Sequence, residues 1–534
     1  MSNPQSRTTD LDSPLLSGDG EVVVDIQIDV DDDSSYHHPP PFPLSSDPPA
    51  LMAQSDFKEF FGDSELSIPH PCLIDPFRNH TEEISGVYEW IKIFLCLPIV
   101  VVRLVIFGLS LTIGFVVTKV ALLGWDDDGN PMPRWRSRIM WGTRFCSRCI
   151  LFSFGYQWIK RKGRPAPREI APVVVCNHVS YIEPIFFFYE LFPTLVSSES
   201  HDTIPIVGTI IRSMQCIFVD RFSTSSRKYA VSEIKRKASS NQFPRVLLFP
   251  EGTTTNGRSI ISFQLGAFIP GLPVQPVVIR YPYVHFDQSW GNISILKLMF
   301  RMFTQFHNFF EVEYLPIITP SNKSENSTHF AEKTRFSISN ALNVPQTSHS
   351  YADLMLFTKA LKFTKGKPSH YMVEMAWVQK TYGISTSEAM GFLDKFLAMN
   401  PDSDGCVGIS DFIANSMLGS GLFATKIFDF FDVEKKGYIS FQQYLLGLAH
   451  ILNQPKFQHN CELTYYAYNH KCNVNPNLQE AIKQIPELFQ LLHMEEDETV
   501  VRTKFNEFMR MNPLLISLFV PHLKCDETDV FHMS

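Results

Sequence analysis

The sequence predicts an α/β domain on a mostly parallel sheet, preceded by a membrane helix or re-entrant hairpin and followed by an all-α region. Three observations lead there. Between about 165 and 320, short β-branched runs (APVVVCN, QCIFVDR, RVLLFP, LPVQPVVIRY) alternate with helix-length spacers, and each run ends at a polar cluster. From Ile93 to Leu123 the chain is almost wholly apolar. Beyond about 370 it becomes Phe-rich and reads as helix–loop–helix.

At 534 residues the chain exceeds one compact core, so two or three domains are expected. Apolar residues at 44% and aromatics at 13% fall short of a multi-span membrane protein and suit one membrane-attached segment on a globular chain. The formal charge of -8 is local: residues 1–50 hold ten acids against Arg7, a net -9, so the remainder sums to about +1. No basic stripe interleaved with aromatics appears, which argues against nucleic acid as a partner. Ten cysteines are scattered without a framework, as for reduced thiols facing the cytosol. The one CxxC, Cys146 to Cys149, has no second pair to complete a zinc site. Nothing in the sequence fixes an oligomeric state.

Residues 1–55, rich in Asp, Ser and Pro, cannot bury enough apolar surface to offset ordering entropy and are expected to form a disordered acidic tail without a signal peptide. The membrane segment, 90–123, exceeds the ~20 residues a bilayer core requires. Arg103 inside it costs on the order of 2.5–3.5 kcal/mol on insertion scales. With Pro98 and Gly108 it leaves two readings: one tilted span, or a shallow hairpin. Asn79-His80-Thr81 is a glycosylation sequon that would be lumenal only if the helix spans. The basic residues that follow (Arg134, Arg136, Arg138, Arg144, Arg148, then Lys160 to Lys162) place the rest in the cytosol and suit anionic headgroups. Residues 293–310 could form a helix facing either the membrane surface or the core.

In the α/β region, 135–345, His178 ends the run VVVCN, and Glu183 follows five positions later before Pro184. On an ideal helix the two would diverge by about 140°. The proline biases Glu183 away from helical dihedrals and suits the first helical position itself, so the pair can meet across a turn. A carboxylate on one imidazole nitrogen leaves the other to face a substrate, which is a base with its orienting group.

Three further blocks follow in order: QCIFVDR (Gln215–Arg221), LLFPEGTTTNG (Leu247–Gly257) and LPVQPVVI (Leu272–Ile279). Together with VVVCNHVSYIEP they resemble the glycerophospholipid (PlsC-like) acyltransferases, whose blocks are H-x-x-x-x-D, a strand ending in Arg, F-P-E-G-T and a V-x-P strand. Taken with the EF-hand-like loops MNPDSDGCVGISDF (Met399–Phe412) and FDFFDVEKKGYISFQQYL (Phe428–Leu445), the chain resembles the EF-hand-bearing lysophospholipid acyltransferases of plants. The resemblance implies that His178 is the base and that Glu183, standing for the usual aspartate, orients it. It implies that Arg221 and the Glu251-Gly252-Thr253 turn position the acceptor's phosphate, and that Pro276 shapes the last strand of the site. Glu251 itself is expected to pair with Arg221 or bond a glycerol hydroxyl. The substrates implied are acyl-CoA and a lysophospholipid, lysophosphatidylethanolamine first, with no cofactor for catalysis; the alternatives are glycerol 3-phosphate or lysophosphatidic acid as acceptor, and an inactive calcium-responsive membrane adaptor. Membrane lipids are the implied partners, on an endomembrane (Golgi, endosome or endoplasmic reticulum).

The region 370–530 contains two EF-hand-like loops. In the first, 400–411, Asn400, Asp402, Asp404, Cys406 (by its carbonyl) and Asp411 fall at ligand positions. Aspartate at the last position reaches less far than glutamate, so calcium would bind weakly, or magnesium instead. In the second, 432–443, the set is Asp432, Glu434, Lys436, Tyr438, Ser440 and Gln443, and the lysine and glutamine argue for a structural hand. A further degenerate hand is expected near 496–507.

Overall fold

The computed structural model describes residues 66, 68–69, 74–125, 129–221, 223–322, 325–363, 368–416, 418, 422–469, 476–493, 498–520 and 523. The acidic tail lies outside them. The described chain divides into two compact units, one of residues 74–354 and the other of residues 66, 68 and 69 together with the chain from Met355 onward.

The first unit opens with α1, Val87–Leu122, a single helix with Pro98 inside it. The hairpin reading is thereby overturned: Pro98 and Gly108 do not reverse the chain. At ~1.5 Å per residue, 36 residues span about 54 Å, well beyond a ~30 Å hydrocarbon core. One face carries exposed Phe94, Val101, Val105, Leu109, Ile113 and Val116. The other buries Ile93, Cys96, Arg103, Gly114, Thr118 and Ala121, much of it against α2, Arg134–Ser153. Glycine at 114 allows that approach, because a Cβ there would lie 3.2 Å from the Cβ of Cys146.

Arg103 does not face lipid. Its guanidinium donates to the carbonyls of Phe303 (2.7 Å) and Phe306 (2.9 Å), and to that of Gln305. These lie at the C-terminus of α6, Ile295–Phe303, where the partial negative charge of a helix end suits a cation. Several residues of the basic stretch are likewise engaged by the fold. Arg136 caps the end of α1 through Ala121 and Leu123, Arg144 bonds the carbonyls of Tyr189 and Glu190, and Arg148 those of Tyr156 and Gln157. Helix α6 itself buries Leu298, Met302 and Phe303 and exposes Leu296 and Phe300, so it serves the core with one face only.

After β1 (Lys160–Lys162), the strands β2 (Val173–Cys176), β3 (Thr194–Ser198), β4 (Ile217–Val219), β5 (Val246–Leu248), β6 (Val274–Arg280) and β7 (Glu311–Tyr314) form one sheet in the order β1-β7-β6-β2-β5-β3-β4. Every neighbouring pair is parallel except β6–β7. Helices α3 (Ile182–Glu190), α4 (Val207–Ser213), α5 (Thr224–Ser239) and α7 (Ser327–Leu342) complete the unit. All four residues of β2 are buried, as a central strand covered on both faces requires, and this is why it reads as an unbroken valine run. Parallel β2, β5, β3, β4 and β6 all end on one edge, where their following residues gather.

The second unit is helical. It contains most of α8 (Tyr351–Phe363), then α9 (Met375–Tyr382), α10 (Thr386–Ala398), α11 (Ile409–Asn415), α12 (Leu422–Phe431), α13 (Phe441–Leu452), α14 (Pro455–Asn469), α15 (Pro476–Lys483), α16 (Pro486–Leu492), α17 (Glu498–Met511) and α18 (Ile516–Phe519). Short strands β8 (Cys406–Gly408) and β9 (Tyr438–Ser440) pair antiparallel, Val407 opposite Ile439. Of the degenerate hand expected near 496–507, residues 496 and 497 lie outside the described residues, and Glu498–Met511 form one helix rather than a loop. Val501, Phe505 and Met509 recur every four residues and are buried, a helical pattern that outweighs the scattered acids.

Candidate active site

Asn177, the first residue after β2, locks this strand end to β6 with a two-way bond to the Ile279 backbone (2.8 and 3.0 Å). His178 is held next. Its N–H donates to Oε1 of Glu251 (3.0 Å), its carbonyl accepts from Thr255 N (2.8 Å), and its ring stacks on Phe249 at 4.1 Å. Its Nδ1 lies 3.0 Å from Oε2 of Glu183. The imidazole is 18% exposed while Glu183 is fully buried, so the ring bridges a buried carboxylate and the accessible edge of the sheet.

Helix α3 begins at Ile182, so Glu183 sits inside its first turn and Pro184 is its third residue rather than its first. Proline costs little there, because first-turn N–H groups have no helical partner. From that turn Glu183 accepts from the N–H groups of Val179 (3.2 Å) and Ser180 (2.9 Å), and from the hydroxyl of Tyr281 (2.7 Å). The helix dipole adds to these donors. Such an arrangement can hold an imidazole in one tautomer and leave Nε2 to accept a proton.

Glu251 does not pair with Arg221. It is fully buried beneath His178, bonded to that residue's backbone, and burial pushes its carboxyl up to about 8. Gly252 turns the chain at φ 76, a conformation that favours glycine, and Thr253 is buried beside it. Arg221, after β4, lays its guanidinium 4.6 Å over the Tyr351 ring. Tyr351 in turn approaches Gly252, whose Cβ position would lie 3.9 Å from the tyrosine Cβ, so the arginine leans back toward the β5 loop. Pro276 stands inside β6 at the level of Val175, below the edge where His178 emerges. It belongs to the strand's packing and does not reach the site.

The sequence reading missed Tyr281, Asn177 and Phe249, and also a strap formed by residues 75–83. Asn256 bonds the carbonyls of Asp75, Pro76 and Arg78. Asn79 donates to Asp287 and Ser289, and Trp290 N donates to Val179 O beside the histidine. The strap thus ties the loop after β5 to the 287–292 loop around His178. A cavity of about 590 Å³ opens beside it, among Arg78, His80, Glu89 and Arg301. His178 does not line it.

In the second unit, Asp402 Oδ1 accepts from the N–H groups of Asp404 and Cys406 (both 2.9 Å), Gly405 turns at φ 73, and Asp411 lies in the first turn of α11. Asn400 adopts φ 54 at the loop's start. In the second loop both Asp432 oxygens accept backbone N–H groups, from Lys436 (3.0 Å) and Gly437 (2.7 Å). Lys436 pairs with Glu434 at 2.7 Å, Gln443 caps α13 through Ser440 N, and Tyr438 is exposed on β9.

A profile of the Acyltransferase family matches residues 159–280, the span from β1 to the end of β6. The chain is 56% identical to Lysophospholipid acyltransferase LPEAT2 of Arabidopsis thaliana over 87% of its own length and 88% of that protein's. It is 32% identical to Lysophosphatidylcholine acyltransferase of Drosophila melanogaster (70% and 71%) and 28% identical to human Lysophosphatidylcholine acyltransferase 2 (85% and 79%). Among solved structures, the LPA acyltransferase PlsC of Thermotoga maritima aligns with 47% of the chain and 96% of its own, at 15% identity and a TM-score of 0.35. With 56% identity running nearly end to end, the chain belongs to the lysophospholipid acyltransferase family.

Proposed function

We propose that the protein transfers the acyl group of an acyl-CoA to the free hydroxyl of a lysophospholipid, with lysophosphatidylethanolamine favoured over lysophosphatidylcholine and other lysolipids. The observation that carries this reading is the 3.0 Å contact between His178 Nδ1 and buried Glu183 at the carboxyl edge of a parallel sheet. Nε2 of His178 takes the acceptor's hydroxyl proton as that oxygen attacks the thioester carbonyl. The tetrahedral intermediate collapses by breaking the C–S bond, and the imidazolium returns the proton to the departing CoA sulfur. Glu183 holds the ring and balances its transient charge. Glu251 and Thr255 fix the histidine's backbone, while Arg221 and the 251–253 turn receive the acceptor's phosphate.

Membrane seating follows from the same unit. Helix α1 lies against the bilayer with its exposed apolar face, and the segment whose carbonyls hold Arg103 carries exposed Phe300, Phe306 and Phe309 that add apolar surface. The contact of Asn79 with Asp287 supports a strap and catalytic edge on one side of the membrane, which favours a helix lying along the bilayer over one that crosses it. The cytosolic face of an endomembrane suits a site that draws on acyl-CoA. In the second unit the first loop takes calcium or magnesium weakly through Asn400, Asp402, Asp404, the Cys406 carbonyl and Asp411, and the second loop is structural.

The test is an acceptor panel with one acyl-CoA, run with and without calcium, on the wild type and His178→Ala. Lysophosphatidylethanolamine should turn over fastest. The variant should lose at least ~100-fold in kcat while still sedimenting with membranes. Unchanged turnover in His178→Ala would overturn the mechanism, and exclusive use of glycerol 3-phosphate or lysophosphatidic acid would reassign the acceptor.

A further inference from the structure

Glu183 is one methylene longer than the aspartate this position would carry by resemblance, and its reach has a destination. Oε1 meets the Tyr281 hydroxyl at 2.7 Å while Oε2 meets His178 Nδ1 at 3.0 Å, so the two oxygens divide the two partners between them. Tyr281 follows β6 directly, and β6 is the sheet neighbour of β2, which delivers His178. Its ring is wedged by Phe310 (5.2 Å) and by Tyr156 (6.4 Å), which leaves the hydroxyl little freedom to leave the carboxylate. We propose that Tyr281 is a positioning residue of the acyl-transfer reaction, matched to the longer Glu183 and acting through it on His178.

This rests on the reading of His178 as the base. A phenol donor does two things to a carboxylate: it fixes the rotamer, and it draws negative charge from the oxygen pair. Without it, Oε2 pulls harder on the imidazole proton and the ring becomes more basic. The rate should therefore fall, and the acid limb of the pH profile should move to higher pH. Other titratable groups face the pair from neighbouring elements. Tyr156, Tyr181 and Cys176 are all pushed up by burial and keep their protons through a neutral assay range. Glu251, from the loop after β5, is pushed up to about 8 by burial, against the lowering field of Arg335 on α7, and so bears on the basic side.

The experiment uses the full-length enzyme in phosphatidylcholine vesicles with one acyl-CoA and lysophosphatidylethanolamine. It compares Tyr281→Phe, Glu183→Asp, the double variant and His178→Ala. Tyr281→Phe keeps the wedged ring and should lower kcat about tenfold with the acceptor KM within about twofold, the acid limb rising by at least ~0.3 pH unit. In the Glu183→Asp background, where the shorter carboxylate no longer reaches the hydroxyl, the same change should cost less than about twofold. An unchanged kcat and pH profile in Tyr281→Phe, or an equal loss in both backgrounds, overturns the proposal and leaves Tyr281 a packing residue. Should His178→Ala remain active, the base reading itself falls. Should it be dead while Tyr281→Phe is unaltered, only the positioning role falls.

Discussion

Burying Glu251 under His178 makes the charge of one side chain a stability term. Its carboxyl is raised from 4.5 to about 8 in the folded protein, so the folded state holds a proton that the unfolded chain has released. Stability from this group is full below about pH 4.5, falls as pH rises, and is spent above about 8. Glu251→Gln keeps an oxygen to accept from His178 N–H and removes the ionisation. The thermal midpoint of that variant should vary less between pH 5 and 8 than that of the wild type. Parallel curves would show that Glu251 does not set the slope. The sequence reading offered this glutamate Arg221 or a glycerol hydroxyl, and the structure gives it a backbone donor in place of Arg221, because a charge in a motif suggests an ion pair while burial here favours a backbone donor. The His178–Glu183 pair was legible because five residues and one turn bring it together. Tyr281 lies 98 residues from its partner, and only the order of strands makes them neighbours.

Elements follow the same logic of reach. Alternating valine runs and helical spacers were sufficient to foresee a mostly parallel sheet, since a buried parallel strand has no polar face to disguise it. Whether Arg103 broke the apolar helix was not legible, because the carbonyls that satisfy it come from residues about 200 positions away. The strap of residues 75–83 carried one readable sign, the sequon at Asn79, and the fold uses that side chain differently. Asn79 is 1% exposed, and its amide nitrogen donates to Asp287 O, Ser289 O and Ser289 Oγ while its oxygen accepts from Thr81. An oligosaccharide on that nitrogen would displace all three acceptors. Two outcomes are expected from cells: no glycan on Asn79, and an Asn79→Ala protein destabilised by about 2–4 kcal/mol in denaturant titration, from stranded buried carbonyls. A glycosylated, fully active protein would refute this account of the strap.

At the scale of the molecule, the residues assigned to acyl transfer all belong to the first unit, and both acidic loops belong to the second. The two loops share one strand bridge, Val407 opposite Ile439, yet their carboxylates are used differently. Asp432 is 3% exposed and gives both oxygens to backbone N–H groups, and the lysine at the third ligand position is neutralised by Glu434. Asp402 uses one oxygen on its own loop, which also holds Asp404 and Asp411 and has no lysine. A cation should therefore find the first loop and ignore the second. Because a ligand that binds only the folded state stabilises by RT ln(1 + [L]/Kd), millimolar calcium should raise the thermal midpoint of the full-length protein. Asp404→Ala should abolish that increment while scarcely changing the midpoint without calcium. Asp432→Ala should do the reverse, lowering the midpoint in chelator because two loop N–H groups lose their acceptor, yet leaving the calcium increment intact. If the increment survives Asp404→Ala or vanishes in Asp432→Ala, the assignment of the two loops is wrong, since a structural hand and a binding hand must fail in opposite ways.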